Sequence, residues 1–362
     1  MMATRFRTTD GTIALVNLDA QIESLERQAA RGRLLSRWSA DLVDRLTLRG
    51  QILGCIADCE RAAAMAERLA CQASADGLAF LARARTRAWM HRFEEALADL
   101  DAAERLGTAG AEVEAERAAI FQAVGRYDEA MALRRAAVER RADFEALGAL
   151  AALHSERGEI GAAEHWFGES RERFRGVSPF GLAQLDFQRG HMWQEQGDLG
   201  RAREWLTCAW RRLPAYAQAE GHLARVEAAL GEREVAIPRL TRLAGASDDP
   251  DYASQLAGIL VQAGRPEEAG VWRARAEVRY GELVARHPAA FADHAAEFWL
   301  TVGGDPRRAL SLAKQNFAVR QTPRAHALLS RAMLACKNEP AAGAAPRSGY
   351  RPIRARRSLI RS

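Results

Sequence analysis

The sequence predicts an all-α protein, a right-handed superhelical solenoid of seven to nine helical hairpins. One observation is a hexapeptide that recurs along the chain. It reads GRYDEA at 125–130, GEIGAA at 158–163, GDLGRA at 197–202, GEREVA at 231–236, GRPEEA at 264–269 and GDPRRA at 304–309, with an outlying HRFEEA at 91–96. Its closing Ala residues fall at 96, 130, 163, 202, 236, 269 and 309, in steps of 34, 33, 39, 34, 33 and 40. The other observation is that the stretches between copies, such as AEVEAERAAIFQAV and EAMALRRAAVERR, carry apolar residues at helical period.

Each unit is therefore two helices, with the hexapeptide at the turn and the entry to the second helix. The Gly supplies the positive φ that ends the first helix, which side chains with a Cβ resist. His91, and Asn338 in a degenerate last copy (NEPAAG), are types that visit that region more readily than most. The apolar residue two places on (Phe93, Tyr127, Ile160 or Leu199) plugs the joint, and the Ala sits where two helices cross closely. Pro179, Pro250, Pro266, Pro288, Pro306, Pro323 and Pro340 fall at helix starts, where a missing N–H costs nothing, several behind caps such as Ser178, Asp249, Asp305 and Thr322. Pro238 lies inside a second helix and is expected to delay or kink it.

This arrangement resembles the tetratricopeptide repeat family in its bacterial form: hairpins of about 34 residues with small residues at fixed packing positions. The resemblance implies a small residue twelve places before each hexapeptide Ala. Ala84, Ala118, Ala151, Gly190, Ala224 and Ala257 comply and Glu297 departs, which sets the last hairpin apart. One period upstream, Ala62 and Gly50 mark a worn repeat at about 43–76, ahead of clear repeats at about 77–323. A helix over 13–33 would cover its outer face, giving a solenoid over 13–340 between a flexible N-terminus (1–12) and a basic, disordered tail (341–362). The two long steps give larger periods of 106 and 107 residues, favouring duplication of a three-hairpin block, with longer connections after 163 and 269.

Composition narrows the function. The chain has 362 residues, 48% hydrophobic and 27% charged, enough to bury a core. Only Lys314 and Lys337 are lysine, leaving 50 arginines, a bias that fits a GC-rich bacterial genome. The net charge of +5 resides in the tail, which holds six Arg and no acid, so the body is at −1 and has no overall electrostatic reason to seek phosphate. Nucleic-acid contact is expected only through that tail. The longest apolar run near the start is four residues (Ile13 to Val16), which makes neither a leader nor a membrane span, and the five cysteines fit a reducing cytoplasm.

No nucleophile, phosphate-loop or metalloprotease motif is present, so no catalytic residue, metal ligand or cofactor is assigned. Cys55, Cys59 and Cys71 are read as core, with Cys59 in the plug position of the worn repeat. His287 and His294, with Asp293 and Glu297 nearby, are read as surface or capping groups, and Trp193, Trp205, Trp210, Trp272 and Trp299 as hairpin core. The resemblance implies a non-catalytic scaffold for a peptide or protein segment held in the concave groove of the first helices. Its groove positions map to Arg85, Trp89, Gln122, Glu156, Gln184, His191, Gln194, Arg225, Ser254 and Gln262. The Lys and Asn that hold chaperone C-termini in the family have no counterpart in a first helix. The alternative is an accessory protein to an enzyme or metal-handling system.

Overall fold

A computed structural model describes residues 7–31 and 36–338. Among them the elements are eighteen α-helices: α1 (Gly11–Ala30), α2 (Ser36–Leu53), α3 (Ile56–Gln72), α4 (Gly77–Trp89), α5 (Phe93–Arg105), α6 (Gly110–Val124), α7 (Tyr127–Arg140), α8 (Phe144–Glu156), α9 (Ile160–Arg173), α10 (Pro179–Glu195), α11 (Leu199–Arg212), α12 (Ala217–Ala229), α13 (Arg233–Ala246), α14 (Pro250–Gln262), α15 (Pro266–Arg286), α16 (Pro288–Leu300), α17 (Pro306–Val319) and α18 (Pro323–Lys337). Helices α2 to α17 pair as eight consecutive hairpins, and α18 follows without a described mate. The tail at 341–362, and Pro340, lie outside the described residues.

The hexapeptide does the local work its residue types require. Gly125, Gly158, Gly197, Gly231, Gly264 and Gly304 all take positive φ, and His91, at φ 55°, is the one non-glycine among the described residues to do so. Asn338 does not: its φ is −89°, an ordinary helix-end value. The closing Ala residues, with Ala62, are all buried, and so are the small residues facing them. At Gly190 a Cβ would stand 2.8 Å from Leu206 Cγ and 3.0 Å from its backbone nitrogen, so the second helix there approaches too closely for any side chain.

Four expectations are corrected. Glu297 is exposed, yet the last hairpin still packs: the α16–α17 turn runs from Thr301 to Asp305, two or three residues longer than its counterparts, so Ala295, 1% exposed, takes the small position against Ala309. The two long steps have different origins: the first combines a lengthened first helix, α10, with a five-residue link before it (174–178), longer than its counterparts as expected, whereas the second is a lengthened second helix, α15, followed by a single-residue link, so they give duplication no support. Pro238 neither delays nor breaks α13, which is continuous from Arg233 to Ala246. Finally, α1 already starts at Gly11, capped by Asp10, and Thr9 donates a 2.8 Å hydrogen bond to Val177 O, where flexibility was expected up to residue 12.

The hairpins wind far enough to close on themselves. The turn at Gly54 meets the α13–α14 link: Ser247 Oγ donates to Gly54 O at 2.5 Å, and Asp248 accepts from Ile56 N and Ala57 N at 2.5 and 3.1 Å, capping α3 from 192 residues away. The next turn meets the α15–α16 link, with His91 Nδ1 3.0 Å from Ala289 O. The turn at Gly125 meets the α17–α18 link: Arg320 Nε donates to Ala123 O at 3.1 Å and Gln321 N to Val124 O at 3.2 Å. Before them in the same series, Gly11 lies against Arg212 and Leu213. One superhelical turn thus spans nearly six hairpins, and a seam of backbone and capping contacts joins successive turns.

Candidate functional site

Closure turns the concave groove into a lumen. First helices of neighbouring hairpins lie against one another (α2 on α4, α4 on α6, α8 on α10, α10 on α12, α12 on α14, α14 on α16, α16 on α18) and form the inner layer, while the second helices lie outside. Arg324 belongs to α18, the last helix of this layer. Its charge acts on Glu156 of α8, His191 of α10, His222 of α12, and Asp293 and His294 of α16.

The groove residues expected from the sequence divide into several settings. Arg85 is tied down by Asp44 at 2.8 Å and Glu116 at 2.7 Å, with Glu112 at 3.7 Å. Trp89 meets Phe291 edge-on at 6.3 Å and belongs to the seam. Gln122 Nε2 donates to Glu156 Oε1 at 2.8 Å. Glu156 keeps contact with water but is ringed by protein, and desolvation raises its pKa against Gln122, Arg320 and Arg324. His191 and Gln194 come together around a residue the sequence reading missed, His222: the two imidazoles meet edge-on at 5.0 Å, and Gln194 Oε1 stands 2.7 Å from His222 Nδ1. Arg225 lies one turn beyond His222 on α12 and is exposed. Ser254 is half-buried on α14, while Gln184 and Gln262 are exposed on α10 and α14.

These groups make two poles. At the first, Phe187 packs against His222 at 5.2 Å and Tyr216 at 5.4 Å, forming an aromatic backing for the imidazoles. Burial pushes His222 well below the usual imidazole range, and the charges of Arg225 and Arg324 push the same way. Burial also lowers His191, while Glu195, 3.6 Å from its Nε2, pulls it up. Among the described residues, Arg225 and Arg324 make no hydrogen bond or ion pair.

The second pole is acidic. Asp249 caps α14 by accepting from Asp251 N at 2.9 Å, and burial, aided by the Asp251 charge, pushes its carboxyl up to about 6. Burial works to raise Asp293 as well, but His294 and Arg320 overcome it and hold its carboxyl at about 2. In return Asp293 raises His294. Two features hid this pole from sequence reading. Positions two residues before the small residue, such as Glu116, His222 and Gln255, also carry polar groups, and the register shift in α16 concealed that Asp293 stands at that position relative to Ala295.

Other candidates lie elsewhere. His287 is 2.9 Å from Glu60 on the seam, apart from His294, and among the described residues no cluster of three or more His, Cys, Asp or Glu is arranged for a metal. Cys59 is buried and its thiol is pushed up by burial, but Cys71 is exposed, contrary to the core reading. Of the five tryptophans only Trp299 is fully buried. The others are half-buried under arginine, as where Arg189 lies 3.9 Å over Trp205 and Arg201 4.3 Å over Trp193. A cavity of about 500 Å³ lies between α13, α14 and α15, with Asp249 in its lining and Arg279 and Asp248 already paired at 3.0 Å. No helix among the described residues is long and apolar enough to cross a membrane.

Comparison with solved structures agrees with the hairpin geometry. A human IFIT1 dimer with m7Gppp-AAAA superimposes with a TM-score of 0.54 at 13% identity, over 88% of this chain and 77% of that one. The fold is that of the tetratricopeptide-repeat proteins. A tetratricopeptide repeat protein from Parabacteroides merdae matches over 72% of this chain and 93% of its own, at 14% identity and a TM-score of 0.44. TTC0263, a tetratricopeptide-repeat protein of Thermus thermophilus, matches over 50% of this chain and 99% of its own, at 26% identity and a TM-score of 0.40. No protein-family model and no curated protein sequence matches the chain. For this tetratricopeptide solenoid the structural likeness establishes the fold and carries over no ligand.

Proposed function

We propose that the chain is a non-catalytic scaffold that binds a peptide or protein segment along its lumen. The observation that supports this most is the pair of opposite poles on one inner wall, with His222 and Arg225 on α12 and Asp249 and Asp293 on α14 and α16. A segment presents an amide group at every residue and charged side chains at intervals. Such a wall can orient one by charge and hold it by hydrogen bonds to groups such as Gln194 and Ser254. Complementary charge governs orientation and capture rate more than affinity. The cytoplasm is the proposed compartment, supported by the five cysteines, none of which is paired.

A photo-crosslinking amino acid placed at Ser254, in the lumen, and separately at Val271, 69% exposed on α15, tests the reading in native-host cells. A discrete protein adduct from the Ser254 position alone supports lumen binding. Adducts only from Val271, or the same adducts from both, would count against it.

A further inference from the structure

The described seam stops one repeat short of a turn built to receive it. Three successive first helices have their C-terminal ends closed by a link from one superhelical turn later. Gly54 O, after α2, accepts from Ser247, and His91, after α4, meets Ala289 O at 3.0 Å. Ala123 O and Val124 O, at the end of α6, accept from Arg320 and Gln321 at 3.1 and 3.2 Å. The next first helix is α8, and its turn at Gly158 repeats the Gly125 turn. The carbonyls matching Ala123 and Val124 are those of Glu156 and Arg157, and among the described residues nothing donates to either. A Cβ at Gly125 would stand against Gln321, whereas one at Gly158 meets nothing within 4 Å. Helix α18 is bare in the same way. It starts at Pro323 as α16 starts at Pro288, so Met333 and Leu334 stand where α16 has Phe298 and Trp299. That pair is buried in a core shared with α17, while Met333 and Leu334 are 46% and 59% exposed.

We propose that the chain's own residues 339–362 cover both surfaces, lying along α18 and seating Arg354, Arg356 and Arg357 on the α8–α9 turn. The spacing of the seam supports this occupant. From the ends of α12 and α16 the seam is reached 18 to 21 residues on, at Ser247, Arg320 and Gln321. The same interval past Lys337 gives residues 355–358, which hold Arg356 and Arg357 directly after Arg354. Arg357 follows the end of α18 by 20 residues, as Arg320 follows the end of α16. The residues between need only reach, and an extended chain reaches farther per residue than a helix. Charge supports the same fit. The end of α8 carries the negative pole of the helix, and Asp128, Glu156 and Glu159 stand around its turn. Arg157 bonds the first and last of these at 3.0 and 2.7 Å. Arg320 shows how one guanidinium serves such a place, with Nε on Ala123 O and Nη1 3.2 Å from Asp293. Arg357 would likewise join a carbonyl at the end of α8 to a carboxylate beside it. Tethering raises the tail's local concentration above that of any free competitor. The docking stands whether or not a segment binds in the lumen.

A photo-crosslinking amino acid placed in the purified full chain at Gly161, and separately at Gly200, tests the docking. The two positions are equivalent: both are exposed in the first turn of a second helix, α9 or α11, and neither has another element within 4 Å. Only Gly161 adjoins the α8–α9 turn. The expected result is an adduct within one chain from Gly161, mapped by mass spectrometry to residues 350–360, and none from Gly200. Combining Arg354→Gln, Arg356→Gln and Arg357→Gln should lower its yield by about tenfold or more, while Arg347→Gln with Arg351→Gln should leave it in place. All five sites lie outside the described helices, so an unchanged circular dichroism spectrum will separate lost docking from lost fold. An adduct joining two chains, tail adducts from both positions or from neither, or a yield indifferent to the three arginines overturns the proposal. None of these outcomes bears on a Ser254 adduct with a partner, so the lumen reading is tested apart.

Discussion

Replacing Gly125 and Gly158 by alanine separates the cost of a strained turn from the cost of opening the superhelical seam. Both glycines end a first helix with positive φ, 91° and 75°, so both substitutions carry the left-handed penalty of about 1–2 kcal/mol. Their surroundings differ. At Gly158 an added Cβ meets nothing within 4 Å, whereas at Gly125 it would stand 2.6 Å from Gln321 O and 2.9 Å from Gln321 C. Those are backbone atoms, so relief requires the α17–α18 link to move away. Its two hydrogen bonds, Gln321 N to Val124 O and Arg320 Nε to Ala123 O, then lengthen or break. At about 0.5–1.5 kcal/mol for each bond, Gly125→Ala should cost about 1–3 kcal/mol more than Gly158→Ala. Because a repeat array does not unfold in one step, the readouts are the urea midpoint and hydrogen exchange at the Gln321 amide. Gly125→Ala should accelerate that exchange while Gly158→Ala leaves it alone. Equal losses of stability and unchanged exchange in both variants would mean that the seam is not formed in solution and that the lumen is an open groove.

Two further expectations concern packing and charge. Ala130→Leu forces three heavy atoms into a fully buried site among Met131, Leu150 and Leu153 and should cost about 1–3 kcal/mol, with damage spreading to neighbouring hairpins. Ala132→Leu, on the exposed side of the same helix, should stay within about 0.5 kcal/mol in the same thermal and urea melts, and equal small shifts would refute the repeat register. Asp293→Asn should bring the imidazole of His294 down in an NMR titration, because the carboxylate that raises it is gone while burial, which lowers it, remains. In the native chain Asp293 stabilises the fold at pH values above its unfolded value of about 4, and that contribution is lost as the pH falls toward 2. His294, being raised, stabilises below about pH 6.5, and its contribution is lost as the pH climbs through its folded value. An unmoved His294 in the variant would refute the pairing.

What was legible in the sequence was local. A positive-φ turn constrains one residue and a close helix crossing constrains another, so Gly125 and Ala130 announced themselves, and His91 was readable as a stand-in for glycine. Where local geometry shifted, the reading slipped. In the worn repeat the turn glycine is Gly54, eight residues before Ala62 instead of five, because α3 begins three residues earlier than its counterparts. In the last hairpin a turn two or three residues longer displaced Ala295 and Asp293 from the positions counted for them. The seam left no signal: Asp248 reads as an ordinary loop acid until α3, 192 residues upstream, is placed beside it. The lumen residues were partly legible. His191, Gln194 and Arg225 follow from helical position, but Trp89 points to the same face and is taken by the seam.

Closure also decides how the two poles behave. In an open groove, charges on helices several hairpins apart would be separated by water and screened within about 8–10 Å. Here a single guanidinium on α18 is felt on four other first helices, so the state of one wall depends on the others. Arg320 ties this coupling to the seam, since its Nε holds Ala123 O while its Nη1 lies 3.2 Å from Asp293. Any motion that parts the α17–α18 link from the Gly125 turn therefore also removes a cation from the acidic pole and lets Asp293 rise. Conversely, a ligand that fills the lumen and keeps Asp293 ionised favours the closed seam. The geometry that gives the chain an interior makes access to that interior and the charge within it the same equilibrium.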